Sequence, residues 1–272
     1  MSSAVRSEKS GPITTVILDR PAARNAVDRA AAEALVEAFL AFEHDPAAAA
    51  AVFWGAGGAF CAGFDLKYVA ATGGAREWLA ELRFPAPGAA GPPPPPPGPM
   101  GPSRLALTKP VIAAVSGPAV AGGMELALWC DLRVMEESAF FGVYSRRWGV
   151  PLIDGGTVRL PRLVGEGRAL EIILTGRQVP AAEALAIGLC ERVVPDGTAR
   201  AAAEELARQI ARFPQTSLRA DRAAVHRQHG LPLHEALRQE FERGEEALRR
   251  EGVAGAGRFA GGKGRHGDQT DI

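Results

Sequence analysis

Short runs of β-branched and apolar residues alternate with helical stripes from Ile13 to Pro195, and beyond Gly197 the strand patterns stop. No other feature limits the possible folds as much. Ile13 to Leu18 reads as a strand, set off by Gly11-Pro12 before it and Asp19-Arg20-Pro21 after it. Ala31, Ala34, Leu35, Ala38, Phe39 and Phe42 then repeat at helical spacing behind a candidate cap, Asp28. Ala51 to Trp54, Val111 to Val115, Leu132 to Met135 and Ala139 to Gly142 are further strands, and helical patterns fill about 155–163, 168–174 and 181–187. Strand followed by helix, repeated, predicts an α/β core over residues 1–197. Residues 198–250 hold three helical stretches, a region suited to covering a face or building an oligomer. The glycine-rich stretch 251–272 predicts a flexible tail.

One segment breaks the alternation. Residues 85–102 are of low complexity, with six consecutive prolines from Pro92 to Pro97. Such a run favours polyproline II, at about 3.1 Å per residue. A surface loop is the expectation, and a ligand for an SH3-like partner is the other use of that chemistry.

Composition excludes several classes. Lys+Arg 31 balance Asp+Glu 31 in 272 residues, so no net field points to nucleic acid or an anionic membrane. No stretch of about 18 apolar residues occurs, which predicts no membrane span. Met1 to Ser10 mixes charges without an apolar run, so no signal peptide is expected. Cys61, Cys130 and Cys190 are widely spaced and odd in number, which predicts reduced thiols and a cytoplasmic setting. His226 and His229 have HxxH spacing but no third ligand, so no metal site is expected. The GxGxxA at 255–260 follows a helix rather than a strand, which argues against a dinucleotide site.

The chemistry concentrates in Val111 to Asp131, read as strand, glycine turn and helix. Gly122 and Gly123 let the backbone approach a ligand and leave N–H groups unpaired at the helix start. The helix dipole adds partial positive charge there, which suits a developing oxyanion. Glu125 falls in the first turn of that helix. On pattern alone, a glycine turn packing a helix on a strand, with Glu125 as a solvated acid, explains the segment equally well.

Five motifs in order decide between these readings: DRPAARNAVD at 19–28, GAGGAFCAGFDLK at 55–67, KPVIAAVSGPAVAGGMELALWCDLRV at 109–134, FGVYSRRWGVPLIDGGTVRLPRLVG at 141–165 and LTGRQVPAAEALAIGLCERVVP at 174–195. Together they resemble the enoyl-CoA hydratase/isomerase (crotonase) superfamily over most of residues 11–195. The resemblance implies a spiral of ββα units with a C-terminal helical region that trimerises, often into a dimer of trimers. It implies an acyl-CoA substrate, with coenzyme A part of that substrate and no separate cofactor. The oxyanion hole maps to the N–H groups of Phe64 and Gly122. Main-chain groups around Ala62, Asp65 and Leu66 take the adenine end of coenzyme A, and Arg24 and Lys67 meet its phosphates. Glu125 maps to the first catalytic glutamate of hydratases. The second would stand three residues after Gly142, where this chain has Ser145. Asp154, nine residues further on, matches the catalytic aspartate of dienoyl-CoA isomerases and of a dehalogenase in the same family. It also reads as an N-cap before Gly155-Gly156. Trp148, between the two positions, is placed to line an acyl pocket with Ser145. The expected enzyme is a hydratase or a double-bond isomerase. A non-catalytic acyl-CoA binder and an RNA-binding member of the fold are the rivals.

Overall fold

The computed structural model describes residues 4–86 and 94–264. Five parallel strands and one antiparallel edge strand form the main sheet. β1 (Val5–Ser10) runs antiparallel to β2 (Ile13–Leu18), pairing Val5 with Leu18. β1 has no counterpart in the sequence reading. Five of its six residues are exposed, and its sequence VRSEKS shows no apolar alternation. Polar and charged residues of this kind keep an edge strand from pairing further.

After β2, Asp28 caps α1 (Arg29–His44), its carboxylate accepting from the Ala31 N–H at 2.9 Å, as expected. Then follow β3 (Ala50–Gly55), α2 (Leu66–Ala71) and α3 (Arg76–Glu81). β4 (Val111–Val115) pairs with β3 and with β6 (Leu132–Glu136), all parallel. Between β4 and β6 lie β5 (Pro118–Val120) and α4 (Gly122–Trp129), which starts two residues earlier than its sequence pattern. β7 (Phe140–Gly142) follows, then α5 (Gly156–Val164), α6 (Glu166–Thr175), β8 (Gln178–Pro180), α7 (Ala181–Ala186) and β9 (Arg192–Val194). The main sheet order is β1-β2-β3-β4-β6-β9, and β5-β7-β8 form a second, small sheet.

The period of two along each strand divides the core. Val16, Leu18, Ala51, Phe53, Ala113 and Val115 face α1 and α4 in one apolar cluster. Ile13, Ala50, Val52, Ile112, Ala114 and Val134 face the other way. That second face is covered by α8 (Ala199–Arg212), through Ala199, Ala203, Leu206 and Ala207. A sheet buried on both faces explains why its strands read as continuous apolar runs. α8 therefore completes the core, and the division at residue 197 cuts through a packed unit. α9 (Gln215–Arg227) and α10 (Leu233–Ala247) lie further out.

Two expectations need correction. The tail was expected to lack order from residue 251, yet α11 (Val253–Ala260) is helical; its alanines and long side chains sustain a helix despite Gly255 and Gly257. Residues 265–272 lie outside the described residues. The proline-rich segment was expected to be a surface loop throughout. Its end is not: Gly98 and Gly101 exchange backbone hydrogen bonds of 2.9 and 2.8 Å, and Met100, Pro102 and Ser103 are buried. Pro92 and Pro93 lie outside the described residues. Among the described residues, no helix is long and apolar enough to cross a membrane.

Close approach between two glycine turns sets up the site. Cys61 bridges to Ala119, and the Val120 N–H donates to the Cys61 carbonyl at 3.0 Å. A Cβ on Gly123 would lie 2.0 Å from that same carbonyl oxygen, and one on Gly63 would lie 3.0 Å from the Gly122 nitrogen. Gly123→Ala must therefore push the turns apart. The expected cost is ~2 kcal/mol or more, read as a lowered Tm in a thermal melt together with lost turnover.

Candidate active site

Phe64 and Gly122 present their N–H groups by backbone geometry. In the short parallel bridge between residues 27 and 64, Val27 N–H donates to the Gly63 carbonyl and Asp65 N–H donates to the Val27 carbonyl, each at 2.8 Å. Successive N–H groups of extended chain point to opposite sides, so that of Phe64 points away from residue 27. The Phe64 ring is held by Trp78, with centroids 5.5 Å apart. Gly122 is the first residue of α4, where an N–H has no acceptor within the helix. Ala121 before it sits at φ 53°, ψ −124°, a conformation that disfavours a side chain. Such strain gathers at functional turns.

Both groups line a cavity of about 240 Å³. Ala62, Leu66, Glu125, Ser145, Trp148 and Asp154 line it too, so eight of the residues singled out in the sequence come together. Arg24, Asp65 and Lys67 stand outside the lining. Arg24 and Lys67 are exposed nearby, and the Arg24 carbonyl accepts from the Ala62 N–H at 3.0 Å. The Asp65 carboxylate caps α2, accepting from Lys67 and Tyr68 N–H, and pairs with Arg20 at 3.2 Å. Asn25 ties the neighbouring turn down, donating to the Ala56 and Ala59 carbonyls and accepting from Arg20 N–H.

Glu125 is 3% exposed. Its Oε1 accepts from the N–H groups of Asp154 at 2.9 Å and Gly156 at 2.8 Å, while Oε2 takes none of the hydrogen bonds among the described residues. Burial, reinforced by the Asp154 charge, pushes its carboxyl up to about 7. A carboxyl near neutrality can both take and give a proton.

Asp154 does not cap α5. The N-cap residue is Gly155, with no side-chain cap. The Asp154 Oδ1 instead accepts from the Met100 N–H at 3.0 Å and from the Ser103 hydroxyl. Burial raises its carboxyl above the usual range, against the lowering effect of those two donors. The carboxylate thus clasps the end of the proline-rich segment against the pocket, where Pro99 and Met100 form a wall. Sequence reasoning missed this wall, because low complexity hides a buried methionine. It also missed Arg159, which donates to the carbonyls of Asp154 and Ser103 at 2.9 and 2.7 Å. Ser145 is 7% exposed and its hydroxyl has no partner among the described residues. Trp148 is 69% exposed, at the mouth rather than the floor.

The family model described as enoyl-CoA hydratase/isomerase matches residues 8–83 and 104–259. The chain belongs to the enoyl-CoA hydratase/isomerase family. Enoyl-CoA hydratase EchA19 of Mycobacterium tuberculosis is 37% identical over 238 residues, covering 85% of this chain and 83% of that protein. Carnitinyl-CoA dehydratase of Salmonella typhi is 36% identical over 243 residues, covering 88% and 86%. An enoyl-CoA hydratase subunit from Geobacillus kaustophilus superposes with TM-score 0.84 at 32% identity, covering 95% of each chain. An enoyl-CoA hydratase from Mycobacterium tuberculosis gives 0.83 at 30% identity and 96% of each. The crotonase fold expected from the motifs is thus the fold observed. The family match breaks over residues 84–103, the proline-rich segment that supplies Met100 and Ser103.

Proposed function

We propose that this family member transfers protons on the acyl chain of an enoyl-CoA thioester, with Glu125 as the proton carrier. The observation that carries the reading is Glu125 itself: one oxygen fixed by two N–H groups, the other unengaged, beside two backbone donors on one small cavity. The thioester oxygen accepts from Phe64 N–H and Gly122 N–H. Negative charge growing on that oxygen is stabilised by both donors and by the N-terminus of α4. In hydration, Glu125 takes a proton from water as its oxygen bonds to the β-carbon. It then gives that proton to the α-carbon as the enolate collapses. Asp154 supplies a second negative charge that keeps the Glu125 carboxyl basic. Main-chain groups around Ala62, Asp65 and Leu66 take the adenine end of coenzyme A, while Arg24 and Lys67 meet its phosphates.

The names of the two relatives, a hydratase and a dehydratase, support water addition or removal. Ser145 favours a second reading, double-bond migration, because a serine stands where hydratases place another glutamate. There Glu125 removes one proton from carbon, exchanges it with solvent, and delivers a solvent-derived proton two carbons away. Incubation with a panel of enoyl- and dienoyl-CoA thioesters in deuterated water, followed by mass spectrometry, separates the two. Hydration adds the mass of heavy water; migration adds deuterium alone. Unchanged substrate with no deuterium in any member of the panel contradicts both.

Leu233, Leu237, Phe241 and Leu248 are exposed along one side of α10 and just beyond it. This apolar stripe supports assembly into a trimer or a dimer of trimers. Three free, buried cysteines support a reducing cytoplasm as the compartment.

A further inference from the structure

A second cavity, of about 860 Å³, shares no lining residue with the Glu125 pocket. It lies between the core and the outer helices, with Leu105, Leu107, Val111 and Trp129 among its lining. Seven arginines line it, from the stretch after Pro102 and from α5, α9 and α10, against two carboxylates. The chain carries 31 cations and 31 anions, so this is a local excess of one sign.

The two carboxylates are engaged elsewhere. Glu242 pairs with Arg238, and Glu246 pairs with Arg249 at 3.1 Å and Arg250 at 2.6 Å. Of the arginines, Arg222 is paired, to Asp131 at 2.9 Å. Among the described residues, no ion pair reaches Arg104, Arg159, Arg162, Arg219, Arg227 or Arg243. The Nε atoms of Arg219 and Arg243 are buried without a hydrogen-bond partner. A buried donor costs free energy until something accepts from it. The surplus is felt nearby: after burial, the Arg219 charge is the next largest cause pushing the Lys109 ammonium below its ordinary value.

We propose that this cavity is a second binding site, distinct from the acyl-CoA pocket, that takes a diphosphate-bearing anion through Arg219 and Arg243. Guanidinium presents parallel N–H groups that match phosphate oxygens two at a time. Several uncompensated cations call for a multiply charged oxyanion rather than a lone carboxylate. The volume falls in the range of small-molecule sites, about 300–1,000 Å³. The apolar lining lowers the local dielectric and strengthens each contact. Arg162 and Arg227 are exposed and complete the rim.

Calorimetric titration of the full chain with inorganic pyrophosphate, in phosphate-free chloride buffer, tests this. Saturable binding of one pyrophosphate per chain is expected, weakened at least tenfold in Arg219→Ala/Arg243→Ala. Arg162→Ala/Arg227→Ala alters exposed side chains, keeps the fold and weakens binding severalfold. Pyrophosphate raises the Tm of the unaltered protein, by linkage, and leaves that of Arg219→Ala/Arg243→Ala unmoved. Arg24→Ala/Lys67→Ala, at the proposed phosphate contacts of coenzyme A, keeps full pyrophosphate affinity. Absence of saturable binding, affinity unchanged from the unaltered protein in both cavity variants, or a tenfold loss in Arg24→Ala/Lys67→Ala overturns the proposal. The last result would assign the anion to the coenzyme A entrance, and none of these results bears on Glu125.

Discussion

Glu125→Gln is expected to lower turnover by about 10³-fold or more, in line with loss of a general acid–base group. The substitution is conservative by design. Glutamine Oε1 accepts the Asp154 and Gly156 N–H groups as the carboxylate does, so the pocket keeps its shape. What disappears is the ionisable oxygen. The unaltered enzyme should show kcat/KM rising with pH through about 7, because the step that accepts a proton needs the ionised form. Stability should move the other way. A carboxyl raised from 4.5 to about 7 by burial stabilises the fold fully below 4.5 and loses that contribution as pH rises through 7. Glu125→Gln should therefore melt higher than the unaltered protein above pH 7, by up to about 3 kcal/mol, and lose this advantage at low pH. Thermal melts across pH and steady-state kinetics check both parts; near-normal turnover would remove Glu125 from the mechanism.

Asp154→Asn carries the second large effect, about 10²-fold in kcat. Asparagine Oδ1 can still accept from Met100 N–H and Ser103 hydroxyl, so the clasp survives while the charge is lost. The Asp154 charge raises the Glu125 carboxyl, so removing it must move the midpoint of the pH profile below 7. Asp154→Ala breaks the clasp as well and leaves two buried donors unpaired. That variant should lose ~2 kcal/mol or more of stability beyond the asparagine form. A clasp alone predicts damage in Asp154→Ala and none in Asp154→Asn. An unmoved pH midpoint in Asp154→Asn would contradict the charge coupling.

The elements legible in the sequence were those whose burial pattern matches their period. α1 carries one apolar helical stripe, while β2 and β4 are short, largely apolar runs buried on both faces, and all three lie where expected. The site was legible where chemistry needs a particular backbone. Gly63 and Gly123 are glycines because atoms of the opposite turn stand 2.0 to 3.0 Å from any added Cβ, and a Cβ on Gly122 would lie 2.6 Å from the Met100 sulfur. β1 was illegible because an edge strand carries charges. Met100 and Ser103 were illegible for another reason. A segment rich in proline and glycine reads as solvent-facing, and its burial depends on Asp154, more than fifty residues away. Asp154 reads in the sequence as an acid or a cap, and the cap reading failed because its carboxylate accepts from Met100 and Ser103 across the pocket rather than from its own helix.

A crystal structure of Glu125→Gln with a bound enoyl-CoA tests the central claim most directly. The account predicts the thioester oxygen at about 2.7–3.1 Å from both the Phe64 and Gly122 nitrogens, with the α-carbon facing residue 125. A thioester carbonyl hydrogen-bonded elsewhere, or an acyl chain pointing away from residue 125, would contradict it.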